Sequence, residues 1–252
     1  MTNPVEVKDV TRRRFHKGMV GIEAAIVLIA FVIVAAALAF VVLNMGFVTT
    51  QRSQQVISSG LGEASTALEV DGSVLAYSEK SSYVNYTVVP IKVSPGRSAV
   101  DLHPDRSSIL YWSSKGSFAD VYIGYGYVYF DANNNQYNVT VYWSNGTQML
   151  VASIGGSINI TGIWWELDSK LSNSYDIYAV IIWIDSNQAY TTKDTNLEIG
   201  EKAIVLLSFD EVSIQPKEYD VIKIEIKPPE GATLTIERTM PPGIPAGVID
   251  LG

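Results

Sequence analysis

An uninterrupted apolar run from Ala24 to Leu43 constrains this chain more than any other feature. After Glu23 no further charge comes before Arg52. The run exceeds the ~7–15 apolar residues of a secretory signal. It reaches the ~20 residues that cross a bilayer at ~1.5 Å rise per residue. A basic block, Arg12, Arg13, Arg14, His16 and Lys17, stands just before it. Such residues stay on the cytoplasmic side, so everything after Thr50 is expected outside the cell.

The charge balance fits that placement. Of 18 Lys/Arg and 26 Asp/Glu in the chain, five and two fall in residues 1–18, leaving 13 and 24 in the rest, a net −11. An acidic body argues against nucleic acid, whose phosphates need a Lys/Arg surface. Cysteine is absent, which excludes disulfides, thiolate metal sites and cysteine nucleophiles. Beyond an N-terminal helical region the chain keeps roughly 180 residues, enough for one β domain.

Three readings compete for the first fifty residues. One is a plain membrane anchor. A second is a cleaved secretory signal, disfavoured by the length of the run and by the lack of an A-x-A-like site after it. The third is a class III signal, cut on the cytoplasmic side between Gly18 and Met19, so that the apolar run stays on the mature chain. Glu23 favours the third. A carboxylate in an apolar helix costs up to ~2.5–3.5 kcal/mol at a bilayer centre and less near an end. A pure anchor has no use for it, whereas in a processed subunit the new α-amino group of Met19 on one copy can neutralise Glu23 on the next. Such a pair sets register more than it adds stability. The plainer account is a Glu23 that snorkels to the interface.

These residues resemble a known family. Arg12-Arg13-Arg14-Phe15-His16-Lys17-Gly18, followed by Met19-Val20-Gly21-Ile22-Glu23-Ala24-Ala25, is similar to the N-terminus of archaellins, the archaeal flagellar filament subunits. The similarity continues through Thr49–Ser53 and Glu63–Glu69, and returns at Pro90–Val93, Gly96, Val100–Leu102, Lys223–Pro229 and Leu234–Arg238. Glu23 is more pilin-like than archaellin-like, and the leader is long for the class. The resemblance implies processing by a prepilin peptidase-type signal peptidase. It also implies a helical homopolymer in which the chain is its own partner, archaellum motor and platform proteins at the membrane, and frequent N-glycosylation.

The resulting expectation is an α+β fold: a leader at 1–18, a long hydrophobic helix at 19–69, and an extracellular all-β domain, an immunoglobulin-like sandwich, at 70–252. No proline interrupts Met19–Glu69. The first half of that helix is apolar on all faces, as a fully buried helix is. The second narrows to a stripe, Ile57, Leu61, Ala64 and Leu68, whose last turns are expected to pack on the β domain. Gly60 and Gly62 would mark a bend or a close helix approach. Strands are predicted at Tyr83–Val93, Ile109–Trp112, Val121–Phe130, Tyr137–Trp143, Ile158–Trp164, Tyr175–Ile184, Ala203–Phe209, Val221–Lys227 and Thr233–Arg238. Turn clusters between them include Asn145-Gly146, a hairpin signal, and Asp185–Gln188. Tyr125, Tyr127 and Tyr129 share a strand face, read as cross-strand packing in preference to a sugar-binding surface.

Four N-x-T sequons are candidate glycan acceptors: Asn85, Asn138, Asn145 and Asn159. Asn145, on a turn, should be the most accessible. Asp131–Asn135 begins like a calcium loop, but Gln136 and Tyr142 occupy the positions that need glycine and glutamate, so a hairpin turn is expected and no metal site. Asp194, Glu198 and Glu201 read as a solvated face. The two histidines, His16 and His103, accompany no nucleophile elbow, phosphate loop or metal spacing. An enzyme is not expected, nor any cofactor apart from N-linked glycans. The function expected is a structural subunit of the archaeal flagellum, an extracellular filament for swimming whose precursor passes through the cytoplasmic membrane. The alternatives are an adhesive type IV pilin and a membrane-anchored sugar-binding module.

Overall fold

A computed structural model describes residues 17–64, 67–96, 99–171, 174–184 and 194–252. The expected leader, except its last two residues, and the turn at Asp185–Gln188 lie outside the described residues. Contacts divide the chain into Met1–Ser59 and Gly60–Gly252.

The first element, α1 (Lys17–Ala64), is one helix of 48 residues, ~72 Å long. The sequence explains its continuity: no proline, a dense Ala/Leu/Val/Ile run, then Gln and Ser. It ends sooner than expected. Leu68 belongs to a short strand, and Ile57 and Leu61 are 61% and 67% exposed. Of the stripe expected to be buried, Ile57 and Leu61 are thus exposed, Leu68 is buried in the β domain at 1% exposure, and the side chain of Ala64 lies outside the described residues. A Cβ at Gly60 would meet open space within this chain.

Among the described residues after α1 there are fifteen strands and one helix. They are β1 (Leu68–Val70), β2 (Leu75–Ser78), β3 (Tyr86–Val93), β4 (Ala99–Asp101), β5 (Ser108–Ser113), β6 (Gly116–Phe118), β7 (Tyr122–Asp131), β8 (Gln136–Trp143), β9 (Gln148–Gly155), α2 (Ile160–Leu171), β10 (Ile177–Trp183), β11 (Asn196–Glu198), β12 (Ala203–Phe209), β13 (Val221–Lys227), β14 (Leu234–Thr239) and β15 (Gly247–Asp250). A nine-stranded sheet runs β15-β2-β3-β12-β10-β7-β8-β9, with β1 also paired to β3. A four-stranded sheet runs β14-β13-β5-β6, and β11 and β4 form a small ribbon.

The long helix followed by a sheet-rich domain agrees with expectation. Inside that domain one strand assignment is corrected: Ile158–Trp164, read as a strand, leads into and opens α2. Asn159 caps this helix, its Oδ1 accepting from Gly162 N at 3.2 Å. Ile163, Trp164, Leu167 and Leu171 then recur on one helical face and are buried. That face covers one side of the large sheet, packing with Val139, Val141, Tyr178, Val180, Ile182 and Leu206. The opposite side, Ala179, Ile181, Trp183, Val205 and Phe209, packs with Ile109, Tyr111, Ile222 and Ile224 of the four-stranded sheet.

The domain thus has three layers, with β10 and β12 buried along their whole length. Their almost wholly apolar sequences, IYAVIIW and AIVLLSF, are what two covered faces demand. The layout also departs from an all-antiparallel immunoglobulin arrangement, because β7 and β10 are parallel neighbours. Parallel strands need a long crossover, and here β8, β9 and α2 supply it.

The calcium-like segment is a hairpin turn between β7 and β8, as expected. Asp131 accepts from Asn133 N at 2.9 Å and from the Asn134 amide at 2.7 Å, with Asn135 at φ 52°. At the start of the domain, Lys92 lies 3.1 Å from both Glu69 and Asp71, and Lys202 lies 2.8 Å from Asp71. Lys202 first, then Lys92, holds the Asp71 carboxyl below its usual range. This network ties β1 to β3 and to the approach to β12.

Candidate assembly helix and glycan acceptors

Helix α1 is a candidate functional surface because its described side chains lie open. Every residue from 21 to 61 is exposed. The largest side chains include Phe31 at 74%, Phe40 at 71% and Val56 at 72% exposure. From Gly21 to Gly62 the helix is long and apolar enough to cross a membrane, with a mean hydropathy of 3.4 in its most apolar stretch. A soluble monomer rarely exposes contiguous apolar patches beyond several hundred Å². A helix apolar all round is one buried on all sides or within lipid.

Polar side chains are sparse before Gln51. Thr49 and Thr50 donate their hydroxyls to the carbonyls of Met45 and Gly46, at 2.8 and 2.9 Å, so neither hydroxyl needs water. Asn44 is exposed, as is Glu23, one turn from Ile26 with no other charge until Arg52. The backbone at Gly18 and Met19 is helical.

The four sequon asparagines meet different surroundings. Asn85 is 7% exposed and precedes β3; its Oδ1 accepts from Glu79 N at 2.8 Å, and its backbone bonds to Tyr77 and Phe209. Asn138 is half-buried on β8, opposite Ser153. Asn145 is exposed in the β8–β9 hairpin, where its Oδ1 accepts from Thr147 N at 2.9 Å and Gly146 takes φ 76°. Only glycine or asparagine enters that φ region cheaply, which is why Asn-Gly marked this turn. Asn159 is exposed at the start of α2.

The tyrosine row is ordinary packing. Tyr125 and Tyr127 are 5% and 0% exposed. Tyr125 stacks on Tyr142 at 5.7 Å, and Tyr127 lies 5.6 Å from Trp183 and donates to the Asp194 carbonyl at 2.7 Å. Neither of these two rings is open to a ligand, and Tyr129 is half-buried. His103 sits in the loop after β4, where its Nδ1 accepts from Asp105 N at 3.2 Å. Among the described residues no three His, Asp or Glu side chains gather to hold a metal ion.

The model of one family, archaeal-type flagellin, matches residues 18–238. The chain belongs to the archaeal-type flagellin family. It is 40% identical to Probable flagellin 1 of Aeropyrum pernix over 240 residues, 95% of this chain and 100% of that one. Among solved structures it is similar to the archaeal flagellum of Methanospirillum hungatei, at 25% identity and TM-score 0.47, covering 91% of this chain and 98% of that one. It is also similar to the archaeal flagellin FlaB1 of Methanocaldococcus jannaschii, at 16% identity and TM-score 0.50, covering 73% and 95%. As an archaeal-type flagellin the chain is a structural subunit of the archaeal flagellum and not an enzyme. The adhesive pilin and the anchored sugar-binding module are not favoured.

Two features of this flagellin escaped the sequence reading. One is α2, whose signal was present: an asparagine cap ahead of apolar residues at helical spacing. The other is an uncharged cleft beside its N-terminus, assembled from β2, β3, β9 and β15. No local pattern announces a site drawn from four separated strands.

Proposed function

We propose that the subunit polymerises through α1. Residues 1–18 form a leader, cut between Gly18 and Met19 by a prepilin peptidase-type signal peptidase, and Met19–Gly252 is the mature chain. The match to the family model starts at residue 18, which supports that junction. Before assembly α1 resides in the cytoplasmic membrane. Afterwards it bundles with copies of itself, each apolar Å² removed from lipid or water contributing to the filament core at up to ~25 cal/mol. Contacts that are heterologous and do not close into a ring give a helical polymer. The β domain faces the medium as the outer layer, in an extracellular filament built on motor and platform proteins at the membrane.

The single observation that carries this reading is the exposure of every residue from 21 to 61 on an apolar helix. Glu23 pairs with the Met19 α-amino group of a neighbouring copy and fixes the axial offset. Sequons Asn145 and Asn159 are open to modification, Asn138 partly so. Asn85 could accept a glycan only before its segment folds, since its amide is buried.

Mass spectrometry and filament yield test the scheme together. Gly18→Trp should leave the subunit at precursor mass. Glu23→Ala should be processed normally yet give few filaments. A Gly18→Trp subunit of unaltered mature mass would rule out this junction, and an undiminished Glu23→Ala yield would rule out the pairing.

A further inference from the structure

The β domain holds a cleft of about 580 Å³ between the β2–β3 pair, the end of β9 and the first turn of α2. Its size falls within the ~300–1,000 Å³ of small-molecule sites. Its chemistry is unusual for a chain of net charge −8: none of the described residues lining it is charged. Tyr77 and Tyr86 form a wall, their rings stacked at 4.9 Å and 18°, with Trp164 behind Tyr86 at 5.1 Å. Facing them are the Gly155-Gly156 backbone, Ser157, Asn159 and Thr161. Tyr86 is 3% exposed between Tyr77 and Trp164, so the half-buried Tyr77 supplies the aromatic contact. An aromatic side chain beside neutral hydroxyl, amide and backbone groups suits a ligand with apolar C–H surface, many hydroxyls and no charge.

Asn159 and Thr161 are the first and third residues of a sequon. The two cleft features are joined directly, since the Thr161 hydroxyl and the Tyr86 hydroxyl are 2.9 Å apart. Oδ1 of Asn159 caps α2, and Nδ2 is the atom a glycan would take. Modification therefore leaves the cap in place.

We infer that this cleft seats a neutral sugar, the first saccharide of an N-linked glycan on Asn159. The inference rests on reading Asn159 as an acceptor. In the linkage step, Nδ2 attacks the anomeric carbon of a lipid-phosphate-activated sugar. The N–C bond forms as the C–O bond to phosphate breaks, the phosphate leaves with the electron pair, and Nδ2 gives up one proton. The sugar then lies against the tyrosine wall, so one of the four sequons carries a glycan docked on the protein. A glycan on Asn145 would extend from a hairpin tip.

The test uses filaments sheared from cells. Peptide mass mapping reads occupancy at residue 159, and the rate of periodate cleavage of the sugar's diols reads its accessibility in native against denatured filaments. The expected result is an occupied Asn159 whose sugar is oxidised about tenfold more slowly in the native state, the order of effect of one aromatic contact. Tyr77→Ala should abolish that protection. Val248→Glu should do the same, at an exposed residue on the cleft rim that the fold does not need. Asn159→Asp keeps a capping oxygen and should lose only the sugar. An unmodified Asn159 overturns the inference, as does equal oxidation in native and denatured filaments. So does an unmodified chain that binds the free monosaccharide in the cleft, because the ligand is then not the attached one. Filaments that form without a sugar at residue 159 remove this seat and leave the filament reading untouched.

Discussion

Two stretches of this chain are about equally greasy and meet opposite fates. Ala24–Leu43 is wholly apolar, and every one of its residues is exposed. Ile177–Trp183 is nearly as apolar, and none of its residues exceeds 7% exposure. Strand β10 is covered by its own chain, with α2 over one face and the four-stranded sheet over the other. Helix α1, ~72 Å long, is exposed at every residue from 21 to 61. The difference separates burial that folds the subunit from apolar surface left for the proposed contacts between subunits.

The sharpest way to break this comparison is to place the same charge in both stretches. Val34→Glu on α1 should abolish filaments, since a carboxylate there costs up to ~2.5–3.5 kcal/mol per copy in an apolar surround. It should leave the urea midpoint of the β domain unchanged. Ile181→Glu on β10 should do the reverse to the domain, lowering its stability by at least ~3 kcal/mol through a buried unpaired charge. Urea unfolding followed by tryptophan fluorescence, with filament yield from sheared cells, reads both. If Val34→Glu filaments form normally, α1 is not the core.

The same comparison shows what could be read from sequence. The helix was legible because its signal is local and long. So were Ala203–Phe209 and Val221–Lys227, predicted with the observed ends, and the Asn145-Gly146 hairpin, whose φ requirement is written in two residues. Helix α2 was missed because Ile158–Trp164 is rich in residues that favour strands, while the burial that makes it a helix comes from a sheet distant in sequence. The covering layer was implied all the same. Strands such as β10 and β12, buried at every position and apolar at nearly all, need a partner on each face, and one antiparallel sheet partner supplies only one. The three- and four-residue strands β1, β2, β4, β6, β11 and β15 carry too few residues for any period. The cleft beside Asn159 depends on four strands meeting, so its sequon was visible and its tyrosine wall was not.

A smaller effect sharpens the account of α2 as a cover. Burial, then the neighbouring Asp210 and Glu79, raises the Asp168 carboxyl above its usual range. A group whose pKa is higher folded than unfolded contributes fully below its unfolded value, ~3.9, and loses that contribution as pH rises through the folded value. Asp168→Asn should therefore raise the melting temperature of the subunit at pH 7, with the gain vanishing near pH 3. Thermal unfolding across that range checks it, and a gain independent of pH would contradict the assignment.

The most direct measurement exploits the absence of cysteine from the chain. Ile33→Cys places one thiol on α1 where the isolated chain is 63% exposed. Its labelling by a water-soluble maleimide should be blocked in intact filaments and become rapid once they are dissociated. Equal labelling before and after dissociation would mean that the apolar helix stays open to water in the polymer, and the account of the filament core would be wrong.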